Sequence, residues 1–162
     1  MKKRILSILC AVTLLCGVVL MAGREANAAE GKAIDGSYLT NQESSVGKAV
    51  LITRGAYLME GDCSVSKAGR GRVYAYASTT ANKDVDYVGV VVYVEKYNEE
   101  TEGWGQIDCW TVEDTDTYYV STSKTVLVER GYFYRVRADH IAGPEDGQKD
   151  FGVSATDGIK VD

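Results

Sequence analysis

The sequence contains only one histidine, His140, and only one proline, Pro144, in 162 residues. Structural and catalytic zinc sites take several His or Cys ligands, so the single histidine argues against a zinc site. A Ser-His-Asp or Cys-His catalytic site would also have to use this one imidazole, and no catalytic motif surrounds it. We expect His140 to be a structural side chain at the end of a strand, bonded to backbone or to a tyrosine. The sequence predicts no metal ion and no cofactor.

Basic residues are also scarce, and several of them stand at the N-terminus. Lys2-Lys3-Arg4 precedes an apolar run over residues 5–22, and Ala26-Asn27-Ala28 has the small-x-small pattern of a signal peptidase site. This order predicts a secretory signal helix over residues 1–28, cleaved after Ala28, and a mature protein that is secreted. The alternative is an uncleaved membrane anchor, since about 18 apolar residues is the lower limit for spanning a bilayer.

Removal of residues 1–28 would leave an acidic chain. The full sequence has 18 Lys and Arg against 23 Asp and Glu, and without the first 28 residues the counts are 14 and 22, a net charge of −8. Phosphate groups are bound by clustered Lys and Arg, so this balance argues against nucleic acid and anionic membrane surfaces as partners. Membrane contact is expected only through an uncleaved signal segment.

Two segments with different patterns follow the signal. Residues 29–48 are rich in Gly, Ser, Asn, Gln and Glu without a sustained period, which predicts a flexible linker. Residues 49–162 show short β-branched and aromatic runs separated by Gly, Asn and Asp, which predicts one all-β domain. The predicted strands cover residues 57–59, 63–66, 72–79, 87–97, 105–112, 118–123, 125–128, 132–140, 151–155 and 159–161. Residues 81–84 are among the predicted turns.

The predicted strand 132–140 has the clearest alternation. Tyr132, Tyr134, Val136 and Ala138 fall on one face, which we expect to be the core face, and the intervening residues fall on the other. With the preceding Gly131 turn, the segment resembles the passage from strand E to strand F of a fibronectin type III domain. Residues 87–97, followed by a Gly-bearing turn and Trp104, similarly resemble its strands C and C′.

The resemblance implies a single immunoglobulin-like, fibronectin type III-like β-sandwich. It also implies that Tyr132 or Tyr134 is a corner tyrosine whose hydroxyl bonds back to nearby backbone. It implies a fold and no activity.

A second resemblance covers most of the chain that would remain after signal cleavage. It is carried by the motifs Arg54-Gly55-x-Tyr57-Leu58, Gly69-x-Gly71-x-Val73, Gly131-Tyr-Phe-Tyr-Arg-Val-Arg137 and Ser154-Ala-Thr-Asp-Gly-Ile159. These motifs are similar to those of an uncharacterised family of small secreted proteins of Gram-positive bacteria, a domain of unknown function. The family offers no catalytic residues to carry over.

Four cysteines are present, and Cys10 and Cys16 would leave with the signal. Cys63 and Cys109 remain, and an exported pair can form a disulfide. In a fibronectin-like fold, however, the two residues lie on different sheets, too far apart for the Cα separation of roughly 4.4 to 6.8 Å that a bridge requires. We therefore expect two free thiols, with a disulfide as the alternative.

Acidic residues cluster in three predicted loops: Asp84 with Asp86, residues 113–116, and Glu145-Asp146. Carboxylates at such spacings can ligate calcium, or can supply the paired acids of a glycosidase. None of the clusters has the loop glycine and distal glutamate of an EF-hand, and solvated turn residues explain all three.

Aromatic and arginine side chains are enriched at the centres of interfaces, and aromatic faces also stack on sugar rings. If the strands adjoin as in a fibronectin sandwich, one outward face gathers Tyr93, Tyr97, Trp110, Phe133, Arg135 and Arg137. We therefore predict a secreted, non-enzymatic binding module whose partner is an unknown protein or carbohydrate, with self-association also open. The alternatives are that these side chains only pack across strands, with Glu95 paired to Arg135, and that the protein is a small extracellular hydrolase using loop carboxylates.

Overall fold

Most of the described part of the molecule consists of β-strands, in which apolar side chains occupy alternate positions. The computed structural model describes residues 31–52 and 55–162; the predicted signal segment lies outside these residues. No helix in the described part is long and apolar enough to cross a bilayer. The strands are β1 (Ala33–Ile34), β2 (Ser37–Thr40), β3 (Ser44–Lys48), β4 (Val50–Leu51), β5 (Leu58–Lys67), β6 (Arg72–Val85), β7 (Tyr87–Asn98), β8 (Gly103–Asp114), β9 (Thr117–Leu127), β10 (Phe133–Gly143), β11 (Asp150–Ala155) and β12 (Gly158–Lys160).

The strands form two sheets, which confirms the prediction of an all-β sandwich. The smaller sheet has the order β3-β5-β6-β9. In the larger sheet β8 pairs with β7, β7 with β10, and β10 with both β11 and β12. Strands β5 to β11 thereby occupy the places of A, B, C, C′, E, F and G of a fibronectin type III domain.

Strand β10 organises the larger sheet because three strands pair with it. Along one edge, Arg137 faces Ala155 of β11 and Tyr134 faces Ile159 of β12. Along β10 the chain advances by three residues from Tyr134 to Arg137, whereas the opposite edge advances by four from Ala155 to Ile159. The extra residue forms a β-bulge. Thr156 lies in the bulge and is buried; its hydroxyl accepts from the Val136 N–H over 3.0 Å.

The core lies between the two sheets and follows the period-two alternation of the strands. Side chains at alternate positions point inward, and β-branched residues fill most of these positions. Among the fully buried residues are Val65, Val73, Ala75, Ala77, Val88, Val90, Val92, Val94, Val136 and Ala138. The sequence analysis predicted that alternate residues of strand 132–140 form a core face. This prediction is confirmed for Tyr134, Val136 and Ala138, which are buried.

The prediction of a flexible linker over residues 29–48 is wrong for the part that the structure describes. Strands β1, β2 and β3 lie in it, and β3 pairs with β5 over five residues. Asp35 and Gly36 connect β1 to β2 with positive φ angles of 50° and 78°, the conformation of a two-residue type I′ hairpin turn. Leu39 is fully buried, and apolar burial of this kind orders a segment whose composition alone reads as polar.

The extents of three strands also differ from the sequence prediction. Residues 81–84, predicted to be a turn, belong to β6, where the register shifts between Thr80 and Val85. Over this stretch β6 advances by five residues, whereas β9 advances by two, from Thr117 to Tyr119. The extra polar residues of β6 therefore bulge outward without ending the strand. Strands β5 and β9 are each continuous, whereas the sequence predicted each as two pieces.

Candidate functional site

Tyr93 and Arg137 form a compact cluster on the outer face of the larger sheet, because they pair across β7 and β10. The Arg137 guanidinium lies 3.9 Å from the centre of the Tyr93 ring. Asp139 accepts from both side chains, over 3.1 Å from the Tyr93 hydroxyl and 2.6 Å from Arg137 Nη1. Burial, followed by the contact with Asp139, raises the pKa of Tyr93. The polar groups of this cluster are therefore already engaged with one another.

Tyr97, Phe133 and Arg135 are not part of an exposed binding surface, which corrects the sequence prediction. Their exposed fractions are 4%, 7% and 2%. The β1–β2 hairpin covers them, since Ile34 and Leu39 pack with Tyr97 and Phe133 in a second apolar cluster. The protein's own N-terminal segment occupies this half of the predicted surface.

Arg135 fixes the hairpin in place. Its Nε donates to Glu95 Oε2 over 2.7 Å, which is the pairing given above as an alternative. Its Nη2 donates to Asp35 Oδ2 over 3.0 Å and its Nη1 to Ser37 Oγ over 2.9 Å, so the guanidinium holds both ends of the turn. The Trp104 ring centre lies 4.6 Å from the guanidinium carbon. These contacts give Arg135 a structural role.

Trp110 faces the other sheet and is not part of the outer surface. It pairs with Val92, whose side chain is fully buried in the core. Its indole Nε1 donates to Thr122 Oγ1 of β9 over 3.0 Å. The prediction placed this side chain on the wrong face of β8.

The two tyrosines at the start of β10 differ in role. The Tyr134 hydroxyl donates to the carbonyl of Glu129 over 2.8 Å, the bond expected of a corner tyrosine. Burial raises the pKa of Tyr134 to about 12. Tyr132 precedes the strand and is 42% exposed, so its placement on the core face was wrong; Lys96 Nζ lies 3.5 Å from its ring centre.

His140 is fully buried between the sheets and bonds to two hydroxyl groups. The Thr79 hydroxyl donates to Gly89 O, so it accepts from His140 Nδ1, which lies 2.9 Å away. Nδ1 therefore carries the proton, and Nε2 accepts from Ser154 Oγ over 2.7 Å. Burial lowers the pKa of His140 to about 4. The imidazole is a neutral core group that bonds to two side-chain hydroxyls and also to the backbone of Ser78, so the predicted tyrosine partner is wrong.

Cys63 and Cys109 are both free thiols. Cys63 lies on β5 in the smaller sheet, where burial raises its pKa to about 11. Cys109 is exposed on β8 at the edge of the larger sheet. Strand β3 covers the outer edge of β5, so Cys63 is not on the edge strand that the fibronectin comparison implied.

The three acidic loop clusters meet at one end of the sandwich. Asp86, Asp116 and Glu145 line a cavity of about 280 Å³ together with Lys149. Asp86 Oδ2 accepts from the backbone N–H of Glu145 over 3.1 Å, and Lys149 Nζ donates to the Glu145 carbonyl. Within residues 31–52 and 55–162, no three His, Cys, Asp or Glu side chains are placed to hold a metal ion.

The outer face of the smaller sheet carries a set of residues that the sequence analysis missed. Outward positions of β5, β6 and β9 hold small hydroxyl side chains and tyrosines. We call this set the hydroxyl–tyrosine face; its members are Ser64, Ser66, Tyr74, Tyr76, Ser78, Tyr119, Ser121, Ser123 and Thr125. The signal was present in the alternation of these residues with Cys63, Val65, Val73, Ala75 and Ala77.

Tyr76 and Tyr119 extend toward each other along this face. Tyr119 pairs with Thr80, four residues from Tyr76 along β6, a separation of about 13 Å along the strand. The two hydroxyl oxygens are nevertheless 3.0 Å apart, which requires both side chains to extend along the sheet toward each other. Ser78 lies between them and is only 6% exposed although it points outward. Hydrogen bonds to Ser121 and then Tyr76 lower the pKa of Tyr119.

Comparisons with known proteins give a family and no assigned role. A family model described as "Family of unknown function (DUF6147)" matches residues 33–158. Comparison with curated proteins and comparison with solved structures each gave no significant match. The matched residues run from β1 into β12 and so include the hairpin that covers Arg135. The chain belongs to the DUF6147 family of unknown function.

Proposed function

We propose that the protein is exported and acts outside the cell as a non-enzymatic binding module, with the hydroxyl–tyrosine face as its ligand-binding surface. The observation that carries this proposal is the platform formed by Tyr76 and Tyr119. Two aromatic side chains that extend along the sheet surface offer ring surface to a ligand at little conformational cost, since a tyrosine has few rotatable bonds. Tyr74 extends the platform and is 39% exposed.

The export part of the proposal rests on the N-terminal sequence. A basic start, an apolar run and a small-x-small site succeed one another within residues 1–28. The first described strand begins at Ala33, so the predicted cut after Ala28 leaves the sandwich and its hairpin intact. N-terminal sequencing of protein recovered from the medium of a secreting bacterial host should start at Ala29.

The hydroxyl–tyrosine face is a better ligand surface than the Tyr93–Arg137 cluster. Arg137 and Tyr93 both bond to Asp139, so a ligand would have to compete with these contacts. On the smaller sheet, Ser123 and Thr125 are exposed and their hydroxyls can rotate toward a ligand, while Ser121 bonds to Tyr119. The exposed aromatic surface and these adaptable hydroxyls lie on the same face of the smaller sheet.

Binding screens with the secreted protein test this assignment. Wild type and the double variant Y76A/Y119A are applied to immobilised glycans and to extracellular protein extracts. We expect the double variant to lose the ligands that wild type retains, whereas Y38A, which removes a 53%-exposed tyrosine elsewhere, keeps them. Ligands that bind wild type and the double variant equally would place the binding surface elsewhere.

One observation favours the alternative of a small hydrolase. Asp86, Asp116 and Glu145 come from three separate loops and line one cavity. A glycosidase places two carboxyl groups on either side of the scissile bond, and such a pair can be assembled from loops. Release of a fluorescent aglycone from aryl glycosides, lost in both D86N and E145Q, would favour this alternative over the binding module.

A further inference from the structure

We infer that the ligand of the hydroxyl–tyrosine face is a chain of uncharged sugar residues. The inference rests on the proposed function and adds the chemical class of the ligand. Three properties of the face support it: the shape of the aromatic platform, the hydroxyl groups around it, and the acidic charge beside it.

The platform is elongated along the strand direction, which suits a chain of rings. Tyr76 and Tyr119 start about 13 Å apart along the strand direction and meet at their hydroxyls, so their rings lie in line over Ser78. The apolar face of a sugar ring can stack on each aromatic ring, as aromatic faces do on other flat partners. Successive sugars of an extended chain can therefore occupy the two rings in turn.

The surrounding side chains match the hydrogen-bonding groups of sugars. A Ser or Thr hydroxyl is one donor and two acceptors and rotates to suit its partner, which is also true of a sugar hydroxyl. Ser64 and Ser66 of β5 lie on one side of Tyr74 and Tyr76, and Ser123 and Thr125 of β9 lie on the other. Serine is depleted at protein–protein interfaces, so this composition favours a saccharide over a protein partner.

The side chain that borders the centre of the face is acidic, since Asp62 of β5 pairs with Ser78 of β6. Glu60 and Lys48 occupy neighbouring outward positions, and Arg72 lies at the other end of the face. Lys48 is already engaged, 2.9 Å from Glu60 and 3.8 Å from Asp62. With a formal net charge of −5 for the whole chain, the protein would repel uronic-acid or phosphate-bearing polymers. An uncharged chain meets no such barrier.

Affinity electrophoresis tests the inference on the secreted protein. The gels contain a neutral β-glucan, a neutral mannan or a neutral xylan, and a parallel gel contains polygalacturonate. We expect at least one neutral polymer to retard wild type and polygalacturonate to leave it unretarded. Y76A/Y119A should bind about tenfold or more weakly, because each lost ring removes a stacking contact. Y76F/Y119F keeps the rings and should retain most of the binding, and Y38A should match wild type.

The outcomes separate the inference from the proposed function. Binding of a protein or of polygalacturonate that depends on Tyr76 and Tyr119 would overturn the saccharide class and leave the binding surface in place. Neutral-polymer binding that Y76A/Y119A retains would overturn both, provided that circular dichroism shows a folded variant. Failure of every neutral polymer to retard wild type overturns the inference.

Discussion

Arg135 Nε donates to Glu95 Oε2 over 2.7 Å, and both side chains are almost completely buried, with 2% and 11% of their surface exposed. The pair crosses from β10 to β7 under the β1–β2 hairpin. Asp35 in the hairpin turn completes the network from above. The buried Arg135 guanidinium thus links the larger sheet to the β1–β2 hairpin, which forms few strand pairs of its own.

Replacing Arg135 with methionine should strongly destabilise the fold. The change leaves the Glu95 carboxylate buried with only the more distant Arg137, whose Nε is 3.5 Å from Oε1. We expect the free energy of unfolding in urea to fall by about 3 kcal/mol. R137M is the matched control, since Arg137 is 29% exposed and its loss should cost about 1 kcal/mol or less. Equal losses in the two variants would contradict the role given to Arg135.

Leu39→Ala distinguishes an ordered hairpin from a flexible linker. Leu39 is fully buried against Tyr97 and Phe133, so truncation should cost about 2–5 kcal/mol in urea unfolding. Leu127→Ala is the control of the same residue type, because Leu127 is 76% exposed and its truncation should have little effect. If L39A is as stable as L127A, residues 37–40 are not part of the folded domain.

The partial success of the sequence analysis has physical causes that particular residues show. On β10, strict alternation identified Tyr134, Val136 and Ala138 as core, because one face of the strand meets the other sheet. The same rule placed Phe133 and Arg135 outside, and it failed because a remote segment covers that face. No local pattern in β10 reveals such a cover.

The face of Trp110 was unpredictable for a different reason. The register between β7 and β8 shifts between Val94 and Glu95. Val94 pairs with Asp108 and Glu95 pairs with Gln106, so Ile107 is an extra residue on β8. A one-residue bulge moves every later side chain to the opposite face. Trp104 therefore faces outward with Tyr97, and Trp110 faces the core. The hydroxyl–tyrosine face was missed because hydroxyl side chains that alternate with apolar ones are equally expected of any strand with one solvated face.

The stability of the protein should depend on pH through its single histidine. The pKa of His140 is about 4 in the folded protein, against 6.5 as its ordinary value. The unfolded state therefore binds a proton first as the pH falls, and stability decreases between about pH 6.5 and pH 4. The full loss would be about 3 kcal/mol. In NMR, the two ring C–H signals of this single imidazole should not titrate above pH 5; a midpoint near 6.5 would show that the ring is solvated.

Gly61→Ala should destabilise the core around His140. A Cβ at residue 61 would lie 2.4 Å from the imidazole Cγ, and the ring is held by Thr79 and Ser154. Relief requires moving the ring or separating the sheets, at about 1–3 kcal/mol. Gly103→Ala is the control in another strand, since the nearest atom to its Cβ is 3.7 Å away. Equal thermal midpoints for the two variants would show that the core accommodates the methyl group.

The two thiols should react with a maleimide at very different rates. Cys109 is exposed on β8, so it should be labelled within minutes at neutral pH. Cys63 is fully buried, and burial raises its pKa to about 11, so both access and thiolate formation are hindered. Its labelling requires opening of the domain and should speed up on addition of urea, while Cys109 labelling changes little. C109S should then show no fast phase, and C63S should keep it. If neither thiol is labelled before reduction, and the mass of the protein is two units below that of the dithiol form, Cys63 and Cys109 form a disulfide. The arrangement of β5 and β8 would then differ from the one described.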